Sequence, residues 1–257
     1  MEMNVKAFIK YESKRLFEDR VLEPIKIEPL RTYQRHSAPD VFGIAFNIAF
    51  DYELFKRGLI SNYAPHQDYI APLYDEEIAA FDKVEKKQEL NARDLLILVN
   101  HENLSRFENN MAMYMQLSSH KFSPADEENM RLDLTLMSSC IHEFFSSVSK
   151  TDKFIQNPDF FSKRVDIYGD GDFIMNDILF EIKCVSSDNI ETKTQKQLIL
   201  YKLINDIDED KRKYTINKFG YYNPLKGQIH TWDAIIPESV MNHWREYVSL
   251  TKKTTSR

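Results

Sequence analysis

Cysteine is nearly missing from this chain: Cys140 and Cys184 are the whole supply in 257 residues. Two thiols close one disulfide at most, and they fall short of the four that an all-cysteine zinc or iron–sulfur site requires. They read as free thiols in a reducing compartment. Long apolar runs are missing too, since none approaches the ~20 residues of a membrane span. The opening Met1-Glu-Met-Asn-Val-Lys6 lacks the basic-then-apolar order of a secretory leader. The expectation is a cytoplasmic protein with no membrane association. An excess of basic charge is also absent, with 34 Lys and Arg against 40 Asp and Glu and a formal net charge of −6. That weighs mildly against a nucleic-acid binder. It does not exclude an enzyme that combines metal-binding carboxylates with a local basic groove.

Whole classes of chemistry fall away in the same manner. The seven histidines include no H-x-x-x-H pair, which argues against a zinc hydrolase. No G-x-x-x-x-G-K-[ST] loop and no G-x-S-x-G elbow occurs, so neither nucleotide hydrolysis on a phosphate loop nor esterase chemistry has support. There is no internal repeat and no low-complexity tract. Hydrophobic residues at 42 % and charged residues at 29 % place the chain among folded proteins, not disordered ones.

What is present divides into two halves. Residues 1–40 contain Pro24, Pro29 and Pro39 and read as a short helix followed by an extended arm. A first core helix is expected at 41–58, where Phe46, Phe50 and Leu54 recur every four residues and Gly58 supplies a stop. Helical periodicity then runs from about residue 73 to 148, with segments at 74–90, 92–117 and 124–149. Ser123-Pro124-Ala125-Asp126 is a strong start for the last of these. The pattern changes abruptly in the second half. Strands are expected at 164–168, 172–175 and 178–185, separated by Gly169-Asp170-Gly171 and Asn176-Asp177. A helix at 191–206, strands at 215–222 and 228–234 and a helix at 237–250 follow, then a polar tail at 251–257 expected to be disordered. Strand–strand–strand–helix–strand order does not fit an alternating dinucleotide-binding unit. The fold expected is α/β (α+β), a mixed sheet flanked by helices and preceded by a large helical region.

The chemistry concentrates at 172–201. Asp172 opens one expected strand, and Glu181 and Lys183 lie in the next on one face, because side chains alternate along a strand. The short Asn176-Asp177 connection brings Asp172 beside them. Leu179, Phe180, Ile182 and Val185 make that strand central and buried, where an acid and a lysine are costly unless paired or bound to metal. Glu-x-Lys by itself is a common surface tripeptide, and only its neighbours raise it above that reading. Tyr221, Tyr222, Trp232 and Trp244 are expected in the core, not as base-stacking platforms.

Gly171-Asp172-Phe173, followed by Glu181-Ile182-Lys183, resembles the motif of the PD-(D/E)XK nucleases. Gln197-Leu-Ile-Leu-Tyr201, one helix later, resembles the QxxxY motif of the RecB-like branch. The resemblance implies a restriction-endonuclease-like core at 151–250, with 59–150 as a helical insertion of the kind that encloses a single strand in related enzymes. It implies a two-metal phosphodiester hydrolase using Mg²⁺ or Mn²⁺ on nucleic acid, with DNA favoured. Asp172 and Glu181 would hold the metal, helped by the Ile182 carbonyl, and Lys183 would position water and steady the reacting phosphate. Gln197, Tyr201 and Lys193 would serve nucleic-acid binding. Gly43-x-x-x-Asn47-x-x-x-Asp51 has the spacing of a further pattern of that branch, with Asn where the family has His and Asp where it has Glu. Asp51 is therefore the candidate further acid, with Glu143, next to His142, as its competitor. The four cysteines that hold an iron–sulfur cluster in some relatives are absent. A homo-oligomer, or a partner protein in a replication, recombination or defence complex, is a further implication. The alternative is a catalytically inactive nuclease-fold protein that binds nucleic acid or another protein.

Overall fold

The computed structural model describes residues 3–11, 13–17, 22–61, 63, 75–105, 122–149, 151–207 and 212–254. Its frame is a five-stranded sheet. The strands are β3 (Phe154–Gln156), β6 (Phe173–Met175), β7 (Ile178–Ile182), β9 (Lys218–Asn223) and β10 (Gln228–Asp233), in the spatial order β10-β9-β7-β6-β3. The β7–β9 pair is parallel and the other three pairs are antiparallel. A parallel pair needs a crossover, and helix α7 (Thr192–Asp206) provides it. A second sheet orders β1 (Met3–Asn4), β5 (Ile167–Asp170) and β4 (Asp159–Ser162), and a two-stranded one joins β2 (Ile25–Lys26) to β8 (Asn189–Ile190).

Alternation along β6 and β7 divides the core in two. Phe173, Phe180 and Ile182 point into one cluster, with α3 (Pro39–Lys56), α4 (Asp75–Glu85), α5 (Ala92–Ser105) and α6 (Pro124–Ser146). Ile174 and Leu179 point into the other, with α1 (Val5–Tyr11), α2 (Ser13–Leu16), α7 and α8 (Glu238–Thr254). Phe173 stacks on Phe180 at 4.7 Å between centroids, and Phe50 of α3 meets Phe173 at 5.2 Å. Each such ring contributes about 1.5–3 kcal/mol by burial. Fully buried Phe46, Phe50 and Leu54 form the expected face of α3, and Gly58, at φ +70°, ends its last turn. Ser123 caps α6 through a reciprocal pair, its Oγ accepting from Asp126 N while Asp126 accepts from Ser123 N.

Several boundaries differ from the sequence reading. Within residues 1–40, the short helix α1 packs on α7 and β1 pairs with β5, ahead of the largely extended stretch 22–38. β3 and β4 were not expected; they are short and broken by Asn157-Pro158, so neither carries a strand-length alternation. Gly169 and Asp170 belong to β5, not to a turn, and the chain reverses instead over 163–166, with Asp166 at φ +57°. The expected tail at 251–257 begins as helix, since α8 runs to Thr254. Residues 255–257 and the second half of the expected 92–117 helix lie outside the described residues.

Gly220 is where two elements meet most closely. A Cβ there would stand 2.4 Å from the buried Phe180 ring. Gly220→Val should therefore destabilise the fold by about 3 kcal/mol or more through overpacking, read as a lower denaturation midpoint in urea. An unchanged midpoint would contradict the β7–β9 register.

Candidate active site

Asn176 adopts φ +58°, and the turn it makes with Asp177 sets the register Phe173↔Phe180, Ile174↔Leu179, Met175↔Ile178. One pair further back, that register puts Asp172 opposite Glu181, and opposite residues of an antiparallel pair share a face. Lys183 continues that face. The structure thus brings together the three residues that the sequence singled out. Asp172 Oδ2 accepts a hydrogen bond from Ile182 N at 2.5 Å, and Lys183 Nζ donates to Glu181 Oε1. Glu181 is 2 % exposed, and its Oε2 is buried with no hydrogen-bond partner among the described residues. A buried carboxylate oxygen left unpaired is costly, of the order of 1–3 kcal/mol.

The charges are unbalanced in a defined sense. Burial, and then the negative charge of Glu181, push the Asp172 carboxyl up to about 7, while Lys183, the Ile182 N–H and Lys6 pull against them. Burial disfavours the Lys183 ammonium, but Glu181 and Asp172 outweigh that and hold it charged beyond the ordinary lysine range. A lysine so firmly protonated is an electrostatic stabiliser, not a base. Asp51 joins the group from α3. Its carboxyl is raised well above the usual range by burial first, then by Asp172 and Glu102, against a hydrogen bond from Gln156. Tyr63 is raised as well, by burial and then by Asp51 and Glu102. Asp51 and Asp172 keep partial solvent access, so both can meet a ligand.

The set suits a divalent cation by donor type, not by its present spacing. It contains hard oxygen ligands, an orphaned buried oxygen on Glu181, and carboxyls whose raised titration a cation would relieve. As placed, no three His, Cys, Asp or Glu side chains among the described residues converge tightly enough to hold an ion. Like charges repel, and Lys183 draws Glu181 Oε1 to itself.

The nucleic-acid expectation for Gln197 and Tyr201 needs correction. Both are buried: Gln197 Nε2 donates to Tyr201 Oη at 2.8 Å, and that hydroxyl donates to the Asp170 carbonyl at 2.6 Å. The face they share looks inward, where it fixes the chain two residues before Asp172. Gly169 belongs to the same contact, since a Cβ there would stand 3.0 Å from the Tyr201 ring. Tyr201→Phe should cost about 1–2 kcal/mol of stability and leave nucleic-acid affinity unchanged, read by thermal melting and by anisotropy. Lost affinity at full stability would contradict a positioning role. Lys193, by contrast, is exposed at the start of α7. Glu143 drops out as the competing acid, because it sits at the surface in an ion pair with Arg31. Gln156 and Glu102 were missed. Gln156 belongs to an edge strand too short to recognise, and Glu102 is one acid among many in a helical region. Cys140 and Cys184 are free thiols as expected, Cys140 buried and Cys184 half-buried beside Lys183. Tyr221, Tyr222 and Trp244 lie in the core, and Trp232 packs against it partly exposed.

No protein-family model matches this chain, and no curated protein is a significant match. What the site can do therefore rests on its own geometry. Among the described residues no helix is long and apolar enough to cross a membrane.

Proposed function

We propose that this protein is a divalent-metal nuclease of the PD-(D/E)XK kind, built on a restriction-endonuclease-like core. The observation that carries the reading is the hairpin register. It sets Asp172 against Glu181, with charged Lys183 on the same face and the buried Glu181 Oε2 lacking a partner among the described residues. A structural ion pair alone would have no use for a second, half-buried carboxyl held up near 7.

Asp172 and Glu181 would hold Mg²⁺ or Mn²⁺, with the Ile182 carbonyl and Asp51 as further oxygen ligands. When bound, such an ion draws charge from the phosphate oxygens and eases the ionisation of water. Lys183 supplies fixed positive charge where negative charge grows on the phosphorus oxygens. Gln156 orients the Asp51 carboxyl, and the Tyr201–Asp170 hydrogen bond holds the strand that leads into Asp172. The raised titration of Asp51 and Asp172 belongs to the metal-free protein, and a bound cation would relieve it and hold both as carboxylates.

The test is incubation of the full chain with linear and circular, single- and double-stranded DNA and RNA, in Mn²⁺ or EDTA. Metal-dependent cleavage of nucleic acid is expected, with DNA the preferred substrate. Binding without turnover under every condition would instead support the inactive binding module.

A further inference from the structure

Helices α1 and α7 enclose a groove outside the carboxylate site. Its cavity of about 720 Å³ is lined by Lys6, Lys10, Lys193 and Lys196, together with Ile9 and Tyr11. Among the described residues, four lysines and no acid line it, in a chain whose net charge is −6. None of the four makes an ion pair among the described residues. Lys10 lies over the Tyr11 ring at 4.9 Å and Lys196 over Phe17 at 5.2 Å, contacts that carry no compensating negative charge. Lys6 and Lys10 are one helical turn apart, and like charges at that spacing destabilise a helix unless an anion lies between them. Helix α7 starts at the groove with Glu191 at its N-cap, and that side chain makes no capping hydrogen bond.

Two features decide what kind of anion belongs there. Tyr11 is 67 % exposed, a large ring left in water beside the lysines. A phosphate chain with attached bases would use both, the phosphates meeting the ammonium groups and one base stacking on the ring. Helix α1, which carries Lys6 and Lys10, packs on β5, and β5 ends at Asp170, two residues before Asp172. The groove therefore shares a wall with the strand that leads into Asp172.

We infer that the α1–α7 groove carries a single strand of nucleic acid, its phosphates on Lys6, Lys10, Lys193 and Lys196 and a base on Tyr11, and leads that strand to Asp172. The inference rests on the nuclease reading for its destination, but the binding itself can be measured without cleavage. The experiment is fluorescence anisotropy of the full chain with a labelled single strand of about 15 nucleotides, in EDTA, over a series of salt concentrations. Each phosphate contact removed lowers the salt slope by about 0.7 for a single strand. Lys10→Gln/Lys193→Gln should therefore weaken binding about 25-fold at 0.1 M salt and lower the slope by about 1.4. Lys10→Arg/Lys193→Arg should bind as the unmodified chain does, which separates lost charge from a lost fold. Tyr11→Ala should weaken binding about tenfold and leave the slope unchanged. If the unmodified chain cleaves but the glutamine pair keeps its affinity and slope, the groove is overturned and the nuclease reading stands. If binding depends on the lysines and Tyr11 but no metal gives cleavage, the groove stands and the nuclease reading falls. Binding to inorganic polyphosphate or anionic vesicles, with none to the oligonucleotide, would overturn the assignment of nucleic acid.

Discussion

Lys183→Ala should lose metal-dependent cleavage by about 10²–10³-fold, the usual cost of removing one preorganised stabiliser of transition-state charge. The pairing with Glu181 adds a second effect. Among the described residues, Lys183 is the only hydrogen-bond partner of the Glu181 carboxylate, which is 2 % exposed. Truncating it leaves that carboxylate buried and uncompensated, at about 2 kcal/mol once the partial exposure of Lys183 is allowed for. Lys183→Gln separates the two effects. Its amide can still donate to Glu181, so stability should stay near that of the unmodified chain while cleavage falls as far as in the alanine variant. Single-turnover kinetics and urea titration on both variants read the difference. Full activity in Lys183→Gln would remove lysine from the mechanism.

Asp172→Asn should abolish cleavage yet raise the stability of the metal-free protein at pH 8. The Asp172 carboxyl is raised to about 7 by burial and by Glu181. A group raised in the folded state favours folding in its protonated form. That contribution is fully present below the unfolded value near 3.9 and is lost as pH rises through about 7. Metal-free protein should therefore lose stability between about pH 4 and pH 7, and the asparagine variant should escape that part of the loss. Because Asp172 keeps some solvent access, a gain of about 1–2 kcal/mol at pH 8 is reasonable, less than the full shift would give. In a domain of this size that amounts to a rise of about 2–8 °C in Tm. Saturating Mn²⁺ should reverse the ranking. At a hundredfold excess over Kd it stabilises the unmodified chain by about 2.7 kcal/mol, with little effect on the variant. Melting curves at pH 5 and pH 8, with and without Mn²⁺, contain the whole prediction. A variant less stable than the unmodified chain in metal-free buffer at pH 8 would show that Asp172 is an ordinary structural acid.

How far the sequence carried the reading follows from the range of each signal. Asn176-Asp177 is local turn chemistry between two short runs of β-formers, so the β6–β7 hairpin and the meeting of Asp172, Glu181 and Lys183 were legible. Phe46, Phe50 and Leu54 likewise marked the buried face of α3, and that face fixed the phase of Asp51. Which element a face meets is long-range information. Gln197 and Tyr201 share a helical face by spacing, but nothing local says that it turns inward to the Asp170 carbonyl. Val5, Phe8 and Ile9 are one helical stripe, but their docking on α7 and β5 depends on Gly169, where a side chain would collide with Val5. Gln156 lay beyond reach for a simpler reason, since three residues before Asn157-Pro158 are too few to show alternation. Glu143 was the opposite case, an acid near the right place in sequence that the fold turns to the surface and pairs with Arg31.

The central claim is that one buried acid–acid–lysine hairpin hydrolyses phosphodiester bonds with a divalent ion. Its most direct test is Mn²⁺-titrated cleavage of one labelled single-stranded DNA by the unmodified chain, Asp172→Asn and Lys183→Gln, run side by side with EDTA controls. Cleavage should saturate with Mn²⁺ in the unmodified chain and be lost in both folded variants. Cleavage that survives EDTA, or that either variant retains, would contradict the claim.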